Sequence, residues 1–590
     1  MSEGHERNGE WTVSRRQWIA GMAGASAGLI LPGIAPGWAR SGSAGVVPGS
    51  GDALSGEEIA LTIGHSPFRI GKRVGHAVTV NGSLPAPLIR LREGQRARIA
   101  VTNSLAEDSS IHWHGLLVPF QYDGVPGVSF PGIAPGATFT YDFPVRQAGT
   151  YWYHSHSNMQ EAMGLYGAIV IDPAGGERVS AQREHILVLS DWSFAHPHRL
   201  LRRLKQQGGY YNRQRQTVGG LLEGRDQPLG ERIDWAAMRM DPTDISDVTG
   251  AVYSFLVNGH DSAGNWTGLF APGERVRLRI VNASAMTNFN IRLPGLAMTV
   301  VQADGQDVAP VETDELQIAI AETYDVIVHP VEDRAYALVA EAVDRSGQCR
   351  ATLAPRMGMA AAVPPIRRRP LLTMRDMGMD HAAPAMDGMD HAAMGHAAAA
   401  PMDHGAMTMR DPAAAPQVLL GPGVAMLSPM PVDRTGDRPT GLEQVSHRVL
   451  TYRDLRAATP NPDVRRPARK IALHLTANME RYMWSFDGVK YSDGAEPIAM
   501  RLGERLRMTL INDTMMPHPI HLHGHFFELV TGAQDDAAKP RKHTVNVLPG
   551  GKVSFDLTAD APGDWAFHCH MLLHMHSGMF RVVTVRGDAA

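Results

Sequence analysis

Cysteine is nearly absent from this chain: 590 residues carry two, Cys349 and Cys569. If either binds a metal, no intrachain disulfide is possible, so cysteine usage says nothing about compartment. Cys349 reads as a small buried hydrophobe. An excess of one charge is missing too. The 56 Lys and Arg residues nearly balance 60 Asp and Glu, the net charge is −4, and nothing recommends nucleic acid as a partner. Beyond the N-terminal leader there is no apolar run of the roughly 20 residues that a membrane-spanning helix needs, so the chain is not expected to be membrane-embedded. The length allows about three or four domains.

The N-terminus holds an address. Ser14-Arg15-Arg16-Gln17-Trp18-Ile19 resembles a twin-arginine export signal, followed by a small-residue apolar stretch to Leu31. Gly37-Trp38-Ala39 offers a cleavage site before Arg40. Residues 1–39 are expected to be a signal peptide and the mature protein to be periplasmic. That route carries folded proteins, which suits a fold that holds metal.

An internal repeat organises the rest. Asn81-Gly82, then the Gly94-x-Arg96-x-Arg98 run, then Asn103 form the first copy. Asn258-Gly259, Gly273-x-Arg275-x-Arg277 and Asn282 form the second; Asp487-Gly488, Gly503-x-Arg505-x-Arg507 and Asn512 form the third. The Asx-Gly pairs read as turns and the alternating Arg/apolar runs as half-buried strands. Many short strands with frequent Gly and Pro imply β-sandwiches.

Histidine carries the chemistry. Four His-x-His pairs stand out: His112/His114, His154/His156, His521/His523 and His568/His570. The chain has 27 histidines and seven such pairs, so one pair alone would be weak evidence; the last of the four brackets Cys569, with His574 and Met579 five and ten residues on. Imidazole, thiolate and a weak axial thioether are the ligands of a blue-copper site. On a strand, neighbours alternate faces, so His568 and His570 point away from Cys569. One strand can serve two metal centres, with the peptide between them as a wire. His518, an odd offset from His521, faces away from the paired histidines and can join Cys569, His574 and Met579.

These four segments, in order, resemble the multicopper oxidases; the insertion that begins His196-Pro197-His198-Arg199-Leu200-Leu201 resembles, within them, the bacterial copper-resistance branch. The resemblance implies three cupredoxin-like Greek-key β-sandwich domains, an all-β chain, over residues 50–175, 180–350 and 440–590. It implies four copper ions: type 1 on His518, Cys569, His574 and axial Met579; type 2 on His112 and His521; a type 3 pair on His114, His154, His156, His523, His568 and His570. O2 would be the acceptor, and Cu(I) or a small phenol the electron donor. Asp123 matches an acidic position that the family uses to move protons. Some relatives place an acid directly after the type 1 histidine; this chain has Met575 there, leaving His576 as an unsupported substitute.

Gly149 to His156 parallels Gly563 to His570, with Ser155 where Cys569 stands, so the first domain should hold no type 1 copper. The middle copy shows neither pattern and reads as a spacer. Its polar insertion near residues 196–250 reads as partly helical, with His196 and His198 on the surface. Residues 355–435 are expected to be a disordered Met/His-rich linker. Between Met374 and Met409 lie nine methionines and four histidines. Thioethers favour Cu(I), so this tract points to Cu(I) capture, with periplasmic copper carriers as partners. Met515, Met516 and Met575, beside the expected type 1 ligands, either pass Cu(I) inward or pack the core.

Overall fold

The computed structural model describes residues 53–379, 410–532 and 535–587; the leader and the centre of the methionine tract, residues 380–409, lie outside them. Strand is the main regular structure of the described chain, arranged as six sheets, two to each of three sandwiches. The repeat explains why. Asn81, Asn258 and Asp487 adopt φ of 50°, 50° and 51°, and the glycines that follow adopt 76°, 76° and 78°. Two successive positive φ values make the tight hairpin turn that Asn-Gly and Asp-Gly favour. In each copy the turn's Oδ1 accepts a backbone N–H from the neighbouring strand: from Thr62 at 2.7 Å, Val188 at 2.7 Å and His474 at 2.8 Å.

The asparagine that ends each repeat does a second job, three times over. Asn103, Asn282 and Asn512 are fully buried. Each Nδ2 donates to two carbonyls of separate chain segments, and each Oδ1 accepts the N–H two residues on. Each side chain thus pins the loop that leads out of the core strand. In the third domain that loop runs into His518.

The strands that carry histidines pair in the same way at both ends of the molecule. His112–His114 runs antiparallel to Gly149–His154, with His112 opposite His154. His518–Leu522 runs antiparallel to Gly563–Cys569, with His521 opposite His568. The middle domain joins them through buried charge. Arg279 reaches Thr150 of the first sandwich at 3.0 Å, and Lys542 of the third lies 3.1 Å from both Asp304 and Glu322.

The insertion after the Arg183–Ser193 strand forms three helices, Pro197–Gln206, Val218–Leu222 and Leu229–Ala237. The flanks of the methionine tract are packed rather than loose: Leu372, Met377, Met379 and Met426 are buried. Among the described residues no helix is long and apolar enough to cross a membrane.

Asn512→Ala removes four hydrogen bonds from a buried site and takes the amide donor from two carbonyls. The expected cost is on the order of 2–4 kcal/mol. It should appear as a lowered midpoint of thermal unfolding, with Asn103→Ala giving a similar loss in the first domain.

Candidate metal centre

Eight histidines meet between the first and third sandwiches. Their ring nitrogens form three compact groups: His112, His114 and His521; His114, His154 and His570; and His156, His523 and His568. A fourth group, His518, Cys569 and His574, lies on the other side of the Gly563–Cys569 strand. Alternation along that strand separates the two, as expected. One detail differs. Only His112/His114 lies wholly within a strand; His156, His523 and His570 sit just past the strand ends at His154, Leu522 and Cys569. There the backbone is free to turn, so both members of a pair can reach inward.

Hydrogen bonds fix the tautomers. His112 Nδ1 donates to the Asp123 carbonyl at 2.7 Å and His521 Nδ1 to the His543 carbonyl at 2.7 Å. His154 Nδ1 lies 2.7 Å from Glu161 Oε2. His523 Nδ1 donates to Asp123 Oδ2 at 2.9 Å, and His568 Nδ1 to the Cys569 carbonyl at 3.0 Å. With Nδ1 protonated, each of these neutral rings presents a bare Nε2. The Nε2 atoms of His523 and His568 face each other at 3.1 Å, two lone pairs in contact. The Nε2 atoms of His112, His154, His156, His521 and His570, and Nδ1 of His114, are buried with no hydrogen-bond partner. An unpaired buried polar atom costs about 1–3 kcal/mol. Six such nitrogens, with the two that face each other, turned to one centre fit metal ions and little else.

Burial supplies the protonation state that ligation needs. It holds His114, His154, His156, His521, His523 and His570 well below the ordinary imidazole value, with neighbouring imidazoles adding to the effect. His568 is lowered to about 4, again chiefly by burial. These rings are neutral and ready to bind.

At the mononuclear group, His518 Nδ1 and His574 Nδ1 lie 3.5 and 3.8 Å from Cys569 Sγ and 3.3 Å from each other. Their outer nitrogens are anchored, Nε2 of His518 on Thr514 Oγ1 and Nε2 of His574 on Asp247 Oδ2, both at 2.7 Å. Trp484 stacks on His574 at 3.6 Å. Met579 is fully buried, and its carbonyl accepts the Cys569 N–H at 3.1 Å. Burial pushes the Cys569 thiol upward, so a bound cation is what would make it a thiolate.

Asp123 sits where the sequence placed it and does more. Oδ1 lies 3.3 Å from His112 Nδ1 while Oδ2 takes His523 Nδ1, so one carboxylate touches histidines of both domains. Gly124 follows at φ 83°, where a Cβ would stand 1.9 Å from the Ile111 carbonyl; only glycine lets the loop fold this tightly.

Three functional positions escaped the sequence reading. Glu161, buried, bonds His154 and is raised well above the carboxylate range by that burial. Asp304 accepts the backbone N–H of His543 at 3.3 Å and of Thr544 at 3.1 Å; those two residues in turn contact His521. Asp247 holds His574. Both aspartates belong to the middle domain, which is therefore a support for both metal groups and not a spacer. A buried acid five residues after His156 was the available signal for Glu161; nothing local marks the others. His576 joins no ligand group among the described residues, and neither do His196 and His198. His198 bonds Asn158 at the surface.

The copper-free protein should lose stability as pH falls from about 7 towards 4. His568 and His543 titrate near 4 when folded but near 6.5 when unfolded, so the unfolded chain takes up protons first. Their contribution is full above pH 6.5 and is lost through that window. Thermal scans at stepped pH check this; a flat profile would contradict it, and copper loading should raise the acid-side midpoints.

The multicopper oxidase family matches the chain over residues 63–175, 183–362 and 465–589. The chain is similar to the copper resistance protein A homolog of Pseudomonas syringae pv. tomato, at 48% identity over 97% of this chain and 99% of that one. It is also similar to copper resistance protein A of Escherichia coli, at 46% over 95% and 98%. The laccase from Botrytis aclada shares the fold, with a TM-score of 0.60 at 20% identity over 91% of this chain and 88% of that one. With these matches and histidine clusters consistent with type 1, 2 and 3 copper sites, the chain belongs to the multicopper oxidases, copper-dependent oxidoreductases that use O2.

Proposed function

We propose that this protein is a periplasmic Cu(I) oxidase, exported by the twin-arginine route, that contributes to copper resistance. The observation that carries the choice of substrate is a cluster of thioethers beside the mononuclear group. Met377, Met379, Met426 and Met515 are buried together, and four further methionines, Met238 and Met240 among them, pack against them. The cluster includes Ile245, two residues before the Asp247 that holds His574; Met515 stands three residues before His518. Soft sulfur favours Cu(I) over phenols or hard cations. Methionine is also oxidisable, a poor choice for mere packing beside a redox centre. The relatives named for copper resistance support the cellular role.

In this reading His518, Cys569, His574 and Met579 hold type 1 copper, His112 and His521 hold type 2, and the remaining six paired histidines hold the type 3 pair. Bound copper supplies the one-electron chemistry and the site for O2. The chain's own part is to place and insulate. The Cys569 peptide links the thiolate covalently to His568 and His570, the shortest path between the two groups. Asp123, shared by His112 and His523, is placed to relay protons at the cluster's edge, and Glu161 stands in a like position beside His154.

Cys569→Ser keeps the size of the side chain and removes the thiolate. Cu(I)-driven O2 uptake should fall about a hundredfold or more, as when one member of a catalytic unit is lost. Cells carrying the variant should lose copper tolerance. Tolerance that survives would favour copper sequestration over oxidation, and faster O2 uptake with a phenol than with Cu(I) would favour a laccase.

A further inference from the structure

Behind the histidine cluster, the second and third domains bury three charged groups against one another. Lys542 Nζ lies 3.1 Å from Asp304 Oδ2 and 3.1 Å from Glu322 Oε1, and all three side chains are sealed from solvent. Nζ makes no well-aligned hydrogen bond, so both contacts are electrostatic. Two carboxylates share one ammonium, which leaves an odd negative charge in a dry setting. Such a charge is costly, and a proton is the simplest way to remove it.

The two carboxylates are not equivalent. Asp304 spends both oxygens on fixed backbone donors: Oδ1 accepts the Thr323 N–H at 3.1 Å, and Oδ2 accepts those of His543 and Thr544 at 3.3 and 3.1 Å. Glu322 has fewer, the Ala319 N–H at 2.9 Å on Oε2 and the Tyr452 hydroxyl at 2.7 Å on Oε1. Burial raises the Glu322 carboxyl above its ordinary value and the Asp304 charge adds to the rise, while Lys542 and the Tyr452 hydroxyl offset part of it.

Of the three groups, Glu322 is the one that lines a cavity. Its volume is about 40 Å3, room for a water molecule, and Tyr452, Asn546 and Gln317 line it too. Asn546 Oδ1 and Gln317 Oε1 are buried with no hydrogen-bond partner, and water is the donor that would satisfy them. The exposed Lys552 lines the same cavity, with Asp437 and with Arg434, which is occupied by Asp376 and Asp437 at 2.7 and 2.8 Å.

On its inner side the charged group meets the histidine cluster at one remove. Thr544, whose N–H Asp304 accepts, places its hydroxyl 3.2 Å from His521 Nδ1 and 3.4 Å from His114 Nε2. Tyr151, Tyr324, Tyr452 and His543 also face the group. Burial holds the three tyrosines above their ordinary value and His543 below its own, so none of them carries charge near neutrality.

We propose that Glu322 is a redox-linked proton acceptor: it takes one proton from the cavity as electrons enter the histidine cluster, and returns it when they leave. Added electrons make a neighbouring negative charge more costly, and protonating Glu322 removes that charge while Lys542 stays paired with Asp304. Only an O–H bond forms and breaks at Glu322, with cavity water as the source and the sink. The coupling holds whether Cu(I) or a phenol reduces the protein.

The test counts protons bound when the copper-loaded protein is reduced electrochemically under argon, in weakly buffered solution with a pH indicator and at stepped pH. Wild type, Glu322→Gln and Tyr452→Phe are compared, with the blue absorption of the oxidised protein reporting that each is folded and loaded. At the pH of greatest difference Glu322→Gln should lose about one proton of uptake per molecule relative to wild type. Tyr452→Phe keeps the carboxyl but removes a donor to its ionised form, so its uptake curve should shift to higher pH. Equal uptake in wild type and Glu322→Gln would overturn the proposal. An unshifted curve in Tyr452→Phe would do the same, and this variant decides alone if Glu322→Gln does not load copper.

Discussion

Eight buried imidazole nitrogens, six without a hydrogen-bond partner and two facing each other, are the constraint on which the rest of this structure depends. Folding alone cannot repay that arrangement. Five of the rings are pinned on the outer nitrogen by a close partner, so they cannot rotate to find another acceptor, and two of the bare nitrogens touch at 3.1 Å. Such a centre needs stiff walls, and the two outer sandwiches supply them with paired strands that place His112 opposite His154 and His521 opposite His568. It also forces the domains together, because no single domain contributes a complete set.

The middle domain gives that assembly its rigidity without supplying a ligand. Asp247 and Asp304 come from this domain, and each fixes one of the two metal groups from outside. Asp304 itself is held against Lys542, which is fully buried and lies 3.1 Å from it. A charge pair buried this deeply tolerates few alternative geometries, and removing either partner would strand the other. The same domain carries the helical insertion, and with it Met238 and Met240. Its contribution is support for both centres.

Much of this was legible in the sequence because it is local or periodic. Alternation along Gly563–Cys569 separates Cys569 from His568 and His570 in the sequence itself, and the Asx-Gly turns and closing asparagines mark three related sandwiches. The supporting residues were hidden because their meaning is created by distant contacts. Asp247 meets His574 across 327 positions, and Asp123 meets His523 across 400. Asp123 was found through family resemblance; Asp247 and Asp304 stand in stretches with no motif. The middle domain looked empty for the same reason: ligands have a recognisable spacing, whereas groups that orient ligands do not. The tract flanks were expected to bury nothing, yet Met377 and Met379 pack against Met515 and Trp235. Composition alone did not foresee the partner surface that the other two domains provide.

The account joins a thioether-lined surface, a mononuclear group and a histidine cluster into one route for electrons from Cu(I) to O2. The most direct test is the ratio of Cu(I) oxidised to O2 consumed by the copper-loaded protein, followed with an oxygen electrode and a peroxide assay. The account predicts four Cu(I) per O2 with no peroxide, since the cluster collects four electrons before product leaves. Two Cu(I) per O2 with peroxide released, or no uptake driven by Cu(I), would contradict it.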